Sequence, residues 1–540
     1  MRITAALIFA CVPALCAAPE GLPASLRLRV ESARSPMLRW PDWSDYRAEV
    51  LGFYQRLGGR AAWVQDGAAT PQARQLAARM ADADLKGLNA ADYEGDRWPA
   101  RMAALSGPLA VEEFDVAFTV CVMRYVSDLQ IGRINPARLG QGTRPAGRRV
   151  ALPAFVAELA SDADPGARLD PLEPGYLGYR ALLDQLPRYL ALARTTFPPL
   201  RAPRKLAPGG AFPAAAALAE RLVALGDLDP SRRLAPGRYD PALAEAVRRY
   251  QGRHGLDPAS GLGPKTLAQL NTQPAQRLAQ LRLTLERWRW VALDPGKRLI
   301  WVNIPAFNLA ALTPKGDSFT WDLDMRVVVG DAYQHATHVL TGKLNTVVFR
   351  PAWNVPPSIV EHDILPALRK DPKYLGRRGY EIVRGYEVAG PPVPVTRASI
   401  QALAAGKLQL RQPPGKTNAL GLVKLLFSNH EDIYLHDTPV RTGFRNHRRD
   451  DSHGCVRVEK PAELAAWVLA PDPAWSLGQV RAAMAAGGPS LKVPVPTPVQ
   501  VMLVYATATV DGAGRVYFYD DVYGNDRDLA KALAAGYPYL

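Results

Sequence analysis

The stretch RRDDSHGCVRVE, Arg448 to Glu459, sets Cys455 behind a glycine and a histidine in a charged turn. A thiol that transfers acyl groups needs a base, hydrogen-bond donors for an oxyanion, and an open approach for substrate. Gly454 lets the backbone turn tightly, which brings the amides of His453, Gly454 and Cys455 to one side as candidate oxyanion donors. The base must come from the eight histidines of the chain. His436 ends the apolar run IYLHD, where a strand would hold it rigidly, and the interval from 436 to 455 leaves room for a loop that returns alongside. His453 is nearer, but its backbone is committed to the turn, so its side chain is the second choice. His335, His338 and His362 lie upstream in or near loops, and His254 lies in another domain. Tyr434 alternates onto the same strand face as His436 and reads either as a lining residue of the site or as a core tyrosine.

Other roles for Cys455 stay open at this point. His436, His447, His453 and Cys455 are a ligand mix that Zn²⁺ accepts, although no CxxC or HExxH spacing accompanies them, and no metal is expected. Arg448 and Arg449 would favour the thiolate if they point inward, or form a solvated run offset by Asp450 and Asp451. A disulfide to Cys121 would join unlike settings. Cys121 lies with Phe114, Phe118, Val122 and Tyr125 on an apolar helix face, as a small hydrophobe.

The elements that must position these groups follow from length and periodicity. A chain of 540 residues calls for two to four domains. A hydrophobic fraction of 48% and a charged fraction of 22% are those of a soluble globular protein, and the net charge of +15 draws it towards polyanions. No nucleic-acid motif is present, so nucleic acid is not expected as a partner. MRITAALIFACVPALCAAPE reads as a signal peptide over residues 1–18: Arg2, an apolar run from Ile3 to Leu15, then Ala17 and Ala18. That run is short of the roughly 20 residues of a membrane span. Cys11 and Cys16 lack the lipoprotein pattern. The expectation is an exported protein of the cell envelope, anchored if the leader stays uncleaved.

Residues 19–200 carry a mainly helical pattern, and 201–216 read as a Pro/Gly/Ala linker. A compact helical unit follows over 217–275. From about 285 to 496 the period turns to that of strands, interrupted by a mixed, lid-like insertion at about 356–414 with DILPALRK and SIQALAAGKL as short helices. Residues 497–540 read as a C-terminal β-hairpin extension turning at Asp511 to Gly514. The fold class expected is a multidomain α+β protein.

AVRRYQGRHGLDPASGLGPKTLAQL resembles the three-helix peptidoglycan-binding domain. YLHDTP followed by SHGCVRVEKP resembles the L,D-transpeptidase catalytic domain of the YkuD type. WNVPPSI (353–359), DPKYL (371–375) and RQPPGKTNALGLVKLLFSNHEDIYLHDTP (411–439) resemble its large subgroup, with a helical scaffold domain and a lid-like insertion. The common signature has Asn where Arg457 stands; the subgroup often has Arg, which puts an Asn-based substrate contact in doubt.

The resemblance implies Cys455 as nucleophile, His436 as its base, and a backbone or side-chain acceptor near Asp437 to orient the imidazole. It implies substrate contacts by Tyr434, Ser452, Arg457, Trp353 and Asn418, and no cofactor. It implies 3→3 cross-linking of peptidoglycan stem peptides with release of D-alanine. Glycan strands and other cell-wall synthesis enzymes would be partners, and carbapenem-type β-lactams inhibitors. An L,D-carboxypeptidase or cross-link hydrolase using the same site, and a non-enzymatic wall-binding scaffold, are the alternative functions.

Overall fold

The computed structural model describes residues 22–538 apart from 143–149, 203–205, 295, 317, 334 and 387–390, so the expected signal peptide lies outside the described residues. The chain divides into two units. The first is formed by the described residues of Met1–Ile134, Pro145–Gly175 and Ala532–Leu540. Its centre is the helix α1, Gly107–Ile131, whose Phe114, Phe118, Val122 and Tyr125 are buried. Cys121 is buried there as a free thiol, and burial pushes it up to about 12. It is a packing residue, as its helix face predicts.

The second unit comprises the described residues of Asn135–Arg144 and Tyr176–Lys531. It begins with α2, Leu177–Leu192, followed by three helices of the small module: α3, Ala215–Leu225, α4, Pro241–Arg253, and α5, Pro264–Leu270. Each of α4 and α5 opens on a proline, whose missing N–H costs nothing at a helix start. Leu218, Leu222, Leu243, Val247, Tyr250 and Leu267 form the module's own core. Gln251 donates to the carbonyl of Gly261 (2.7 Å) and to Thr266 (2.9 Å), tying the Gly loop to α4. Tyr250 and Gln251 are therefore structural, and His254 stacks on Tyr250 at 3.7 Å between ring centres.

Helix α6, Pro274–Arg289, leads into the sheet. Within this unit Tyr179, Leu182, Leu186 and Tyr189 of α2 bury against Leu278, Leu281 and Leu285 of α6 and against Ala508, Val516 and Phe518. Those last three belong to the C-terminal hairpin of Ala508–Val510 and Val516–Phe518, which turns where the sequence predicts.

The main sheet is built from β1, Leu299–Asn303; β2, Asn308–Lys315; β3, Ser318–Gly330; and β4, Leu340–Phe349. After the insertion come β8, Val423–Phe427; β9, Leu435–His436; β10, Asp450–Ser452; β11, Val456–Val458; and β12, Leu491–Val504. The strand order is β10-β3-β11-β9-β8-β4-β12-β1-β2, and β2 pairs back onto β3, so eight strands close into a ring. Val302, Leu309, Val327, Val347, Leu425, Leu435, Val456, Val501 and Leu503 fill one buried face. The helix Pro461–Leu469 adds Leu464 and Val468 to that core.

The boundary expected at 497 falls inside β12, which pairs with both β4 and β1. The misreading has a physical source. VPVPTPVQV places prolines at 494, 496 and 498, and the strand accommodates them with a register shift between Pro494 and Val499 rather than ending.

The insertion has its own small core of Val355, Ile359, Ile364, Leu368, Ile382, Leu403 and Leu410. It holds the two expected helices, Leu365–Lys370 and Arg397–Ala404, and a three-stranded sheet the sequence did not announce. In that sheet β7, Gln409–Gln412, lies between β5, Trp353–Asn354, and β6, Glu381–Val383.

Candidate active site

Strands β9 and β11 run parallel, with Leu435 beside Val456 and His436 beside Arg457. Leu435 and Val456 both enter the core. Alternation then sends His436 and Arg457, and their neighbours Tyr434 and Cys455, to the other face. The pairing continues there, since the Val456 amide donates to the Tyr434 carbonyl at 3.1 Å. Strand β8 adds Lys424, which lies directly opposite His436. A two-residue strand thus holds the histidine on the face that carries the thiol.

His436 is buried, and its Nδ1 lies 2.6 Å from the carbonyl oxygen of Asp437. A carbonyl only accepts, so Nδ1 carries the hydrogen and Nε2 keeps its lone pair. Burial, then the Arg457 and Lys424 cations, lower its pKa to about 3. The orienting group expected near Asp437 is thus its backbone. The Asp437 carboxylate instead accepts from the Leu422 amide at 2.9 Å and faces Arg441 at 3.4 Å.

Cys455 is half-buried, and its thiol points to the Asp432 carbonyl at 3.7 Å rather than to the imidazole. Burial raises its pKa, while the Tyr434 amide and hydroxyl and the charge of Lys424 oppose that shift. Burial, with Cys455 beside it, pushes the Tyr434 hydroxyl well above its ordinary value, and the Trp353 side chain opposes that shift. Trp353 and Tyr434 therefore lie within electrostatic reach of the sulfur's surroundings.

The turn itself is pinned from both sides. Ser452 Oγ donates to the Cys455 carbonyl at 2.6 Å, and Thr337 Oγ1 donates to the Gly454 carbonyl at 2.7 Å. Gly454 has φ +101°, a conformation that side chains rarely tolerate. With both carbonyls turned inward to these hydroxyls, the amides of His453, Gly454 and Cys455 have no partner among the described residues.

Two expected substrate contacts are corrected. Ser452 is buried and its hydroxyl is committed to the turn. Asn418 is buried and donates to the carbonyls of Pro351, Gln412 and Pro413 while accepting from Leu420, so it fastens the insertion's return rather than facing a ligand.

The His453 side chain meets Asp363 of the insertion at 2.9 Å, and its ring lies 4.5 Å from that of His335. His447 faces Asp257 at 3.6 Å. The four residues weighed as a zinc set thus look to different partners, and no cluster of three metal-ligating side chains occurs among the described residues. Arg448 is paired bidentately with Asp450, and Arg449 donates to the carbonyls of Val327, Phe307 and Asn446. Both arginines are structural. A cavity of about 500 Å³ lined by Trp288, Trp301, His338 and Glu431 includes neither Cys455 nor His436.

Sequence reasoning missed Lys424, Thr337 and Asp432. Lys424 had one signal: VKLLF alternates, so Lys424 lies on the face opposite Val423 and Leu425.

Comparison with known proteins now defines the class. Residues 297–501 match the L,D-transpeptidase catalytic domain, 213–270 a domain described as "Putative peptidoglycan binding domain", and 48–186 the scaffold domain. The chain carries the YkuD-type L,D-transpeptidase catalytic domain together with a peptidoglycan-binding domain and a scaffold domain. Among named proteins, it is 33% identical over 233 residues to a protein of Haemophilus influenzae called "Putative L,D-transpeptidase". That match covers 43% of this chain and 45% of the relative, so the chain spans about half the length of the curated relative it matches. A crystal structure of an L,D-transpeptidase from Stackebrandtia nassauensis is 13% identical, covers 56% of this chain and 97% of its own, and has a TM-score of 0.21, too low to carry an argument. Among the described residues no helix is long and apolar enough to cross a membrane.

Proposed function

We propose that this protein forms 3→3 cross-links in peptidoglycan by acyl transfer through Cys455, with His436 as the base. The observation that carries the reading is that Cys455, Tyr434 and His436 share one face of two parallel strands, with Nδ1 of the imidazole committed to the Asp437 carbonyl. At rest both partners are neutral, because burial raises the thiol and depresses the imidazole. The proton therefore moves as attack begins, not beforehand.

The thiol swings from the Asp432 carbonyl and gives its proton to His436 Nε2. The sulfur bonds to the carbonyl carbon of the third stem residue, and the oxygen's charge is met by the free amides of residues 453–455. Collapse breaks the bond to the terminal D-alanine, whose nitrogen takes the proton back from Nε2. A thioester remains. The side-chain amine of a neighbouring diaminopimelate attacks it, His436 accepts the amine's surplus proton, and the sulfur leaves as a thiol. Tyr434, which lowers the thiol's pKa against burial, favours the thiolate during each exchange.

An exported, periplasmic location, glycan strands as a further ligand, other wall-synthesis enzymes as partners and acylation of Cys455 by carbapenems all belong to the same proposal. The test is product analysis by mass spectrometry with purified tetrapeptide fragments. Cys455→Ala should give no cross-linked dimer, while Cys121→Ala keeps full activity. Dimer formed by the Cys455 variant would sink the mechanism, and tripeptide without dimer from the wild type would favour the hydrolase.

A further inference from the structure

His436 has a cation on each side. Lys424 of β8 and Arg457 of β11 are its lateral partners in the sheet register. Such partners project to the same face about 5 Å away. Both side chains are half-buried, and both act electrostatically on the imidazole. Lys424 Nζ lies 5.1 Å from the centre of the Tyr434 ring. The other charged or titratable groups around the pair are Cys455, with Lys492 near Lys424 and Asp451 near Arg457. Among the described residues neither cation forms a salt bridge. Two half-buried cations that flank a neutral base, with Asp451 acting only at a distance on one of them and no salt bridge to either among the described residues, are a costly arrangement that an anionic ligand would relieve.

We propose that Lys424 and Arg457 form a two-point clamp for the carboxylate of the residue that departs, so that the donor must end in a free carboxylate. This rests on the acyl-transfer reading above. The departing nitrogen must sit at His436 Nε2 to receive its proton. In a C-terminal amino acid the carboxylate is joined to the carbon that bears that nitrogen, so it falls beside the imidazole, where the two cations are. The clamp also prepares the base. A carboxylate between the cations offsets the fields that, with burial, hold the imidazole's proton affinity down. A chain end lacking the carboxylate leaves His436 a weak base.

The experiment compares an N-acetylated stem tetrapeptide with the same peptide ending in a carboxamide, on the full-length protein. Wild type should show a kcat/KM at least about tenfold higher for the carboxylate, the scale of one charge-assisted contact. Lys424→Met should shrink the carboxylate-to-carboxamide ratio of kcat/KM by about tenfold, whatever it does to the turnover common to both peptides, and a melting curve reports an intact fold. Lys424→Arg should recover most of the loss. Equal loss on both peptides, or no preference in the wild type, overturns the clamp. Binding to Cys455→Ala separates the two readings. If that variant prefers the carboxylate, and added Lys424→Met removes the preference, while wild type turns over neither peptide, the clamp stands and the transpeptidase reading falls. If it binds the two equally, or neither, the clamp falls.

Discussion

Gly421 governs the aim of the His436 imidazole without touching it. A Cβ there would lie 2.4 Å from Asp437 Cγ, and its φ of +61° is itself unfavourable for a side chain. Asp437 is the residue whose carbonyl fixes His436 Nδ1. Gly421→Ala should therefore displace Asp437 and tilt the imidazole. We expect kcat to fall by about 10²-fold with KM nearly unchanged, the cost of a misplacement near 1 Å. The backbone strain adds about 1–3 kcal/mol of destabilisation. Steady-state kinetics and a melting curve read both effects, and an unaltered kcat would remove Asp437 from its orienting role. Legibility at this scale was uneven for a physical reason. Cys455 and His436 stood out because a glycine turn and a strand end are written locally. Lys424, Thr337 and Gly421 act across the sheet or from another loop, and a single sequence does not display lateral register.

At the scale of elements, the insertion touches the turn that carries Cys455 through the pair of Asp363 and His453. Asp363 lies in a π-helical segment, Val360–Ile364, a geometry that costs regular pairing and often marks a functional position. Asp363→Asn should loosen that hold. The pair is exposed and worth about 1 kcal/mol or less, so amide exchange over residues 360–370 should quicken by at most about fivefold. Exchange that does not change would mean that the insertion's own apolar core keeps it in place. That core was only half legible. Its helices carry apolar periodicity, whereas β5 and β6 hold two and three residues, too short for alternation to register. The closing strand β12 was misjudged for the opposite reason, since its prolines imitate a linker while the chain continues as sheet.

At the scale of the molecule, the three-helix module shares its unit with the main sheet, and His254 lies where α4 ends against the C-terminal hairpin. Its ring stacks on Tyr250 and Phe518, and burial, reinforced by Arg277 and Arg253, holds its pKa well below the usual histidine value. The unfolded chain takes up that proton near pH 6.5 and the folded chain does not. Stability is thus full above about 6.5 and declines as the pH falls below it. His254→Phe keeps the stacking and removes the titration, so its melting temperature should fall less than the wild type's between pH 7.5 and 5; equal falls would refute the assignment. The ring of eight strands has a different consequence. Extended peptides are commonly captured by adding a strand to an open sheet edge, a mode that reads the guest's backbone and presumes L stereochemistry. Here each strand of the ring already has neighbours on both sides. The ring therefore offers an extended peptide no vacant edge, and a guest strand could add only at the strands outside it.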